Sequence, residues 1–231
     1  MPKDTEQFET RLSEIRRDLV AQGWRVLGIC ERAFDVFFTG DLDAAAEVVA
    51  LDDEVDRVDV QIEKDSVELL GAVARQAIEL SEFNLRQLLV IVKANNELER
   101  AADCAIAIAG RVEDRAGIDV PETFRVMANS VLGIIRDACG ALDKQDPDLA
   151  KLVLRSEDAV RGFKATLLRE AENDIASGSM SVDCGFLLHE IASQCENAAD
   201  HATNIAEQVL YAVTGKIVRH VESGWIELDN T

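Results

Sequence analysis

The chain has 231 residues and a formal net charge of −20, from 44 acidic and 24 basic side chains. So large an acidic excess argues against nucleic acid as a partner, because phosphate contacts require lysine and arginine. Aromatic residues make up only 5% and there are three prolines, while alanine, leucine, glutamate and arginine are frequent, so we expect an all-α protein.

The first predicted helix runs from about Thr5 to Phe38. Its apolar residues recur every three or four positions, as on one face of a helix: Phe8, Leu12, Ile15, Leu19, Val26 and Ala33. Gly40 then permits a turn, and Asp41 or Asp43 can cap the helix that follows. We therefore expect a tight turn at residues 39–41.

The second and third predicted helices complete a first unit. The second carries an apolar seam with 3-4 spacing, formed by Val48, Leu51, Val55, Val58 and Ile62. About 100° around that helix runs a line of acids: Asp52, Asp56, Asp59 and Glu63. The third helix starts near Ser81 or Glu82. The short sequence GIDVP at 117–121 is the expected boundary, so that residues 1–117 form one unit and residues 118–231 another.

Three further helices are predicted in the second half, with similar landmarks. The fourth helix places five residues in a core: Phe124, Met127, Val131, Ile134 and Leu142. The turn residues Asp146 and Asp148 follow Asp41 and Asp43 at a spacing of 105. The seam recurs at that same spacing, as Val153, Ser156, Val160, Phe163 and Leu167. The fifth helix ends near residues 177–178, and the sixth begins at about residue 181.

The repeat is clearest in the third and sixth helices. The sequence ERAADCAIAIAGRV at Glu99–Val112 is matched by ENAADHATNIAEQV at Glu196–Val209, with eight of fourteen positions identical. These stretches are 97 residues apart rather than 105, so the second unit is eight residues shorter across its second loop. We interpret the chain as a duplication and expect six long helices, arranged as two tandem, pseudo-symmetric three-helix bundles.

Acids spaced four residues apart mark neighbouring helices in both units. Residues at this spacing share one helix face. In the first unit the candidates are Asp52, Asp56, Glu99 and Asp103, with Asp53 beside them. In the second unit they are Glu157, Asp158, Glu196 and Asp200. Two such charges ~5 Å apart at a dielectric of ~20 repel by about 3 kcal/mol, so converging carboxylates require protons, basic partners or a metal. Oxygen ligands suit hard cations such as Mg, Mn, Ca or iron.

Two other interpretations of these acids stay open. Solvated acids on outer helix faces are common. In the second unit Arg161 stands where the first has Asp56, and a guanidinium there can neutralise a carboxylate without metal. On the sixth helix an acidic line should face outward if the alanine and isoleucine line faces the core; it comprises Glu196, Asp200, Thr203 and Glu207.

The cysteines and the lack of long apolar runs indicate the cellular compartment of the protein. The five cysteines form no CxxC pair, which argues for a reducing cytosol and for small buried thiols; they are Cys30, Cys104, Cys139, Cys184 and Cys195. The first ten residues contain no apolar stretch that could be a signal peptide, and no run of 18 apolar residues occurs. We expect a cytoplasmic protein without a membrane span.

These motifs together resemble the PhoU family of phosphate-regulon and phosphate-transport regulatory proteins. The family's third helix typically reads LERIGDHAxNIA, which appears here as LERAADCAIAIA at Leu98–Ala109 and as CENAADHATNIA at Cys195–Ala206. The segment Leu51–Glu63 looks like the family's second helix, and residues 84–86 resemble its DLR. The ending, residues 207–220, is similar to its closing helix.

The resemblance implies an all-α cytoplasmic adaptor, often dimeric, that lowers phosphate uptake and signalling. Its implied partners are the ATPase of a phosphate transporter and a sensor histidine kinase. Some members carry metal clusters on their E/DxxxD motifs, which implies a divalent or ferric ion (Mg, Mn or Fe) on the acids named above. This chain departs from the pattern at Ala102, Ala199, Cys104, Ala107 and Arg161. The chain lacks the common catalytic motifs, which favours an adaptor; a carboxylate-bound metalloenzyme and a metal-free helical scaffold are the alternatives.

Overall fold

A computed structural model describes the backbone of residues 3–115, 120–221 and 224–228. Within these residues the chain forms seven α-helices: α1 Lys3–Thr39, α2 Leu42–Val49, α3 Asp52–Gln76, α4 Glu82–Ala109, α5 Glu122–Lys144, α6 Pro147–Ser177 and α7 Val182–Thr214. A single 3-10 turn, Glu113–Arg115, follows α4. Two short strands, β1 Ile217–Val221 and β2 Gly224–Leu228, come after α7.

Side-chain caps fix where four helices begin. The Asp41 carboxylate accepts a hydrogen bond from the backbone N–H of the third residue after it, at 3.0 Å. Asp146 accepts two such bonds at the start of α6, at 2.9 and 3.1 Å. Ser81 and Ser181 cap α4 and α7 in the same way. Each satisfies backbone donors that a helix start leaves without intrahelical partners, and all four positions confirm starts expected from the sequence.

The second predicted helix is wrong in one respect, because it is broken into α2 and α3 at Ala50 and Leu51. Three consecutive acids at residues 52–54 open α3, and negative charge stabilises a helix N-terminus. The equivalent helix of the second unit, α6, is continuous. The break leaves the apolar seam intact: in both units its first, third and fifth residues are buried, and its second and fourth are half-buried.

The long helices form two three-helix units that share one core. In the first unit α1, α3 and α4 contact one another, and in the second α5, α6 and α7 do so. Between units, α1 contacts α5 and α4 contacts α7. Each of these four helices therefore contacts its own counterpart in the other unit, in agreement with the internal repeat. The predicted fold, two tandem pseudo-symmetric three-helix bundles, is confirmed. The expected boundary at residues 117 and 118 lies outside the described residues.

An aromatic cluster joins the units at the α1–α5 contact. Phe124, on α5, is fully buried, and its ring centroid lies 5.4 to 6.4 Å from those of Phe34, Phe37 and Phe38 on α1. The other core residues predicted on the fourth helix are also buried, as is the predicted apolar face of α1.

The end of the chain differs from the expected closing helix. α7 ends at Thr214, where Gly215 adopts a left-handed φ of 74° as its C-cap. Residues 217–221 then pair antiparallel with residues 224–228, with Ile217 opposite Leu228. β-branched residues such as Ile217, Val218 and Val221 favour a strand there.

Candidate functional site: two charge clusters

The first cluster lies where α3 runs beside α4. It consists of five acids, namely Asp52, Asp56 and Asp59 on α3, and Glu99 and Asp103 on α4. Burial raises the pKa of Asp52, and the charges of Asp56 and Asp103 raise it further. Burial also raises the pKa of Glu99, with contributions from Asp103, Asp59 and Asp56. The pKa of Asp103 is raised by burial and by Asp56. The four predicted ligands of this unit therefore influence one another electrostatically across the α3–α4 contact, and Asp59 is an additional member. Asp53 is exposed, and its charge also raises the pKa of Asp52.

Asn95 connects the two helices of this cluster. Its side-chain amide donates to the Asp59 carboxylate at 2.6 Å and to the Asp59 carbonyl at 3.0 Å. Burial raises the pKa of Asp59, and Glu63 and Asp56 add to this, while the Asn95 hydrogen bond opposes it. Within the described residues, no three His, Cys, Asp or Glu side chains are placed so that they could hold one metal ion.

The second cluster is organised around two cations on α6. Arg161 forms an ion pair with Glu157, one turn before it. Its guanidinium also lies 3.7 Å from Glu196 and 3.8 Å from Asp200 on α7. The Lys164 ammonium donates to the other Glu196 oxygen at 2.6 Å. Three of the four acids named for this unit, Glu157, Glu196 and Asp200, are thus brought together around an arginine, which is the ion pairing that the sequence left open.

Asp158, the remaining acid of this stretch, is exposed. Burial, a hydrogen bond with Glu157 and the charge of Glu157 raise the pKa of Asp200 to about 7, against the opposing charge of Arg161. Glu157 itself is 2% exposed. Near neutral pH a protonated Asp200 can donate a hydrogen bond to the buried Glu157 carboxylate. The Asp200 proton and the Arg161 guanidinium then both balance the charge of Glu157.

The acidic line of α7 does not face outward along its whole length. Thr203 and Glu207 are only 3% and 6% exposed, which corrects the expectation from the sequence. The Thr203 hydroxyl donates to the Asp200 carbonyl at 2.8 Å, and Glu207 accepts a hydrogen bond from Arg219 at 3.0 Å. The reason is packing: α7 contacts α4, α5 and α6, so little of its surface is left for solvent.

A polar contact at the α4–α7 crossing was missed from the sequence. One oxygen of Glu97 lies 2.8 Å from Nδ1 of His201 and accepts a hydrogen bond from Asn204 at 3.0 Å. Burial raises the pKa of Glu97. The hydrogen bonds with His201 and with the Asn204 amide, together with the charge of His201, outweigh burial and lower the pKa overall. A groove of about 540 Å³ lies beside this contact, lined in part by Glu99, Asp103 and Gln194 together with His201.

Comparison with protein families matches the PhoU domain to this chain twice, at residues 19–112 and 124–209. The chain belongs to the PhoU family. It is 28% identical over 229 residues to a phosphate-specific transport system accessory protein PhoU homolog 1 of Thermotoga maritima, covering 96% of this chain and 97% of that protein. A PhoU homolog of Zymomonas mobilis is 31% identical over 175 residues, covering 74% and 72%.

Solved PhoU structures share the fold. The crystal structure of PhoU from Pseudomonas aeruginosa superposes with a TM-score of 0.83 at 25% identity, covering 90% of this chain and 99% of that one. The phosphate transport system regulatory protein PhoU from Streptococcus pneumoniae gives the same TM-score at 22% identity, covering 92% and 99%. In the part of the chain that the structure describes, no helix is long and apolar enough to cross a membrane.

The two PhoU repeats differ in charge at equivalent positions. At the repeat spacing of 105, Asp56 corresponds to Arg161 and Asp59 to Lys164. The first repeat thus places five acids at the positions where the second places three acids and two bases. The difference at Lys164 was visible in the sequence as a second acid-to-base exchange, three residues after the first and on the same helix face.

The cysteines of the PhoU repeats are free thiols, four of them buried and Cys184 half-buried. Burial raises the pKa of Cys139 to about 12. Burial also raises the pKa of Cys104 to about 12, and the charges of Asp103 and Asp200 add to the effect. Buried thiols that stay protonated are poor nucleophiles, so these side chains serve as small core residues, as expected.

Proposed function

We propose that this protein is a cytoplasmic accessory regulator of phosphate transport, which lowers phosphate uptake and phosphate-starvation signalling when phosphate is plentiful. The observation that carries the proposal is the pair of PhoU domain matches, one in each half of the chain. Relatives that align along nearly the whole chain are named as accessory proteins of the phosphate-specific transport system. The protein acts by binding other proteins rather than as an enzyme.

The proposed partners are the ATPase of a high-affinity phosphate transporter and a sensor histidine kinase, with the protein itself a homodimer. The formal charge of −20 supports partners with basic surfaces, because complementary charge accelerates and orients association. Affinity purification from phosphate-replete cells, followed by mass spectrometry, should recover the transporter ATPase. Recovery of neither partner after cross-linking would count against this part of the proposal.

We also propose that the first cluster binds a hard divalent or ferric ion: Mg, Mn or Fe. The proposed ligands are Asp52, Asp56, Glu99 and Asp103. Burial and the charges of neighbouring acids raise the pKa values of Asp52, Glu99 and Asp103, which supports this, since a bound cation would offset the repulsion between these carboxylates. Replacing Glu99 by Gln together with Asp103 by Asn should abolish metal uptake by the first cluster, measured as bound metal per chain.

A deletion strain tests the regulatory role directly. In phosphate-rich medium, loss of the protein should increase phosphate uptake and switch on a phosphate-starvation reporter, and the wild-type gene should restore both to the starting level. Unchanged uptake and an unchanged reporter in the deletion strain would refute the proposal. Complementation with the Glu99→Gln/Asp103→Asn variant then separates regulation from metal binding.

A further inference from the structure

The second cluster contains cations of its own at the centre of its carboxylates. Arg161 lies within 4 Å of three acids on two helices, and Lys164 contacts the second carboxylate oxygen of one of them, Glu196. The pair is held in place: the Lys164 side chain is 19% exposed, and the Glu157 side chain that Arg161 contacts is 2% exposed. A metal bound by these carboxylates would have to displace the guanidinium or lie beside two positive charges.

The first cluster has no equivalent of this pair. Its counterparts at the repeat spacing, Asp56 and Asp59, are acids. Arg100 offsets part of the charge of Glu99 and Asp103, but it is exposed and forms no ion pair among the described residues. The same scaffold therefore presents acids that repel one another in one repeat and internal ion pairs in the other.

We propose that Arg161 and Lys164 take the place of a metal ion in the second repeat, so that α6 and α7 are held together without metal and cation dependence is confined to α3 and α4. The confinement to α3 and α4 rests on the metal binding proposed for the first cluster. The exclusion of metal from the second cluster stands on the Arg161 and Lys164 contacts alone.

Charge reversal at these two positions tests the proposal. The variant Arg161→Asp/Lys164→Asp gives the second repeat the five acids of the first, and the matched control Arg161→Lys/Lys164→Arg keeps both positive charges. Full-length proteins are stripped with EDTA and titrated with Mn²⁺, and bound Mn²⁺ per chain and melting temperature are measured. Wild type is compared with Glu196→Gln/Asp200→Asn, which removes acids from the second cluster only.

We expect the Asp double variant to bind at least one Mn²⁺ per chain more than wild type, at the second repeat, because two charges that repel the cation become two that attract it. Its melting temperature should fall in EDTA and recover with Mn²⁺. The Lys/Arg control should gain no Mn²⁺, and Glu196→Gln/Asp200→Asn should leave wild-type Mn²⁺ uptake unchanged.

Two results would overturn the proposal. One is loss of Mn²⁺ from Glu196→Gln/Asp200→Asn, which would show that the second repeat binds metal despite Arg161. The other is an Asp double variant that binds no additional Mn²⁺. If that variant does not fold, Arg161→Met/Lys164→Met removes the cations without adding acids and is judged by the same gain of Mn²⁺. If wild type binds no Mn²⁺ at all, the metal proposed for the first cluster is refuted. The role of Arg161 and Lys164 is still decided by whether Arg161→Asp/Lys164→Asp gains bound Mn²⁺.

Discussion

Replacing Arg161 by methionine removes the guanidinium of the second cluster but keeps much of the apolar stem. The Glu157 carboxylate, 2% exposed, then loses the ion pair that balances its charge. Removing one partner of a buried pair typically costs 3–5 kcal/mol. Because the Arg161 side chain is itself 40% exposed, solvent screens part of this interaction, and we expect the loss in unfolding free energy to be about 2 kcal/mol.

An exposed ion pair of the same chain provides a matched control. Arg136 on α5 lies 2.8 Å from Glu31 on α1, and both side chains are about half exposed, at 53% and 47%. Exposed pairs contribute about 0.2–1 kcal/mol, so Arg136→Met should cost well under 1 kcal/mol. For a chain of this size each kcal/mol lowers the melting temperature by roughly 2–4 °C, which predicts a fall of about 4–8 °C for Arg161→Met and about 1–2 °C for Arg136→Met.

Urea unfolding followed by circular dichroism at 222 nm, in buffer containing EDTA, measures both costs. A second substitution, Glu157→Gln, removes the buried charge and should restore more than half of the stability that Arg161→Met loses. The reasoning is refuted if Arg161→Met is no more destabilising than Arg136→Met. It also fails if Glu157→Gln makes the Arg161→Met protein less stable still, because the buried charge would then not be the cause.

Three further predictions concern other parts of the chain. Because the folded-state pKa of Asp200 is about 7, above its ordinary value of 3.8, the folded state binds more protons than the unfolded state between about pH 4 and pH 7. Stability contributed by this group should therefore fall as pH rises through that range, and Asp200→Asn should flatten the decline in a series of urea titrations. Phe124→Ala should lower the unfolding free energy by about 3–5 kcal/mol in denaturant titrations, because it empties the aromatic cluster between α1 and α5. Asp146→Ala should cost about 1 kcal/mol by the same measurement, since two backbone N–H groups lose their cap.

The helices were predictable because their determinants are local. Each capping side chain lies within three residues of the backbone donor that it caps, so the sequence alone indicates where the helix begins; these residues are Asp41, Ser81, Asp146 and Ser181. The 3-4 apolar seam similarly predicts one buried face from neighbouring turns of a single helix. The internal repeat then gave the pseudo-symmetric arrangement, because equivalent sequences pack in equivalent ways.

The features that were missed depend on contacts between distant segments. The burial of Thr203 and Glu207 follows from the position of α7, which contacts three other helices, and periodicity along one helix reports one buried face only. The Glu97–His201 contact joins residues 104 apart in sequence. The break at Leu51 lies between two stretches that each favour helix. Because the apolar pattern continues through the break, the pattern predicts one unbroken helix.

The differences between the repeats concern side-chain charge and hydrogen bonding more than the fold. At the α4–α7 crossing, Glu97 contacts His201 and Asn204. The repeat counterpart of Glu97 is Gln194, and the counterparts of its two partners are Cys104 and Ala107. A cysteine offers a weaker hydrogen bond than histidine, and an alanine side chain offers none. On the outer helices, α7 is tied to α6 by ion pairs, while α3 and α4 meet through acids that repel and the single amide of Asn95. A fold built from two equivalent halves can thus join one pair of helices by ion pairs and the equivalent pair by an amide hydrogen bond beside carboxylates that repel, although each half keeps its three packed helices.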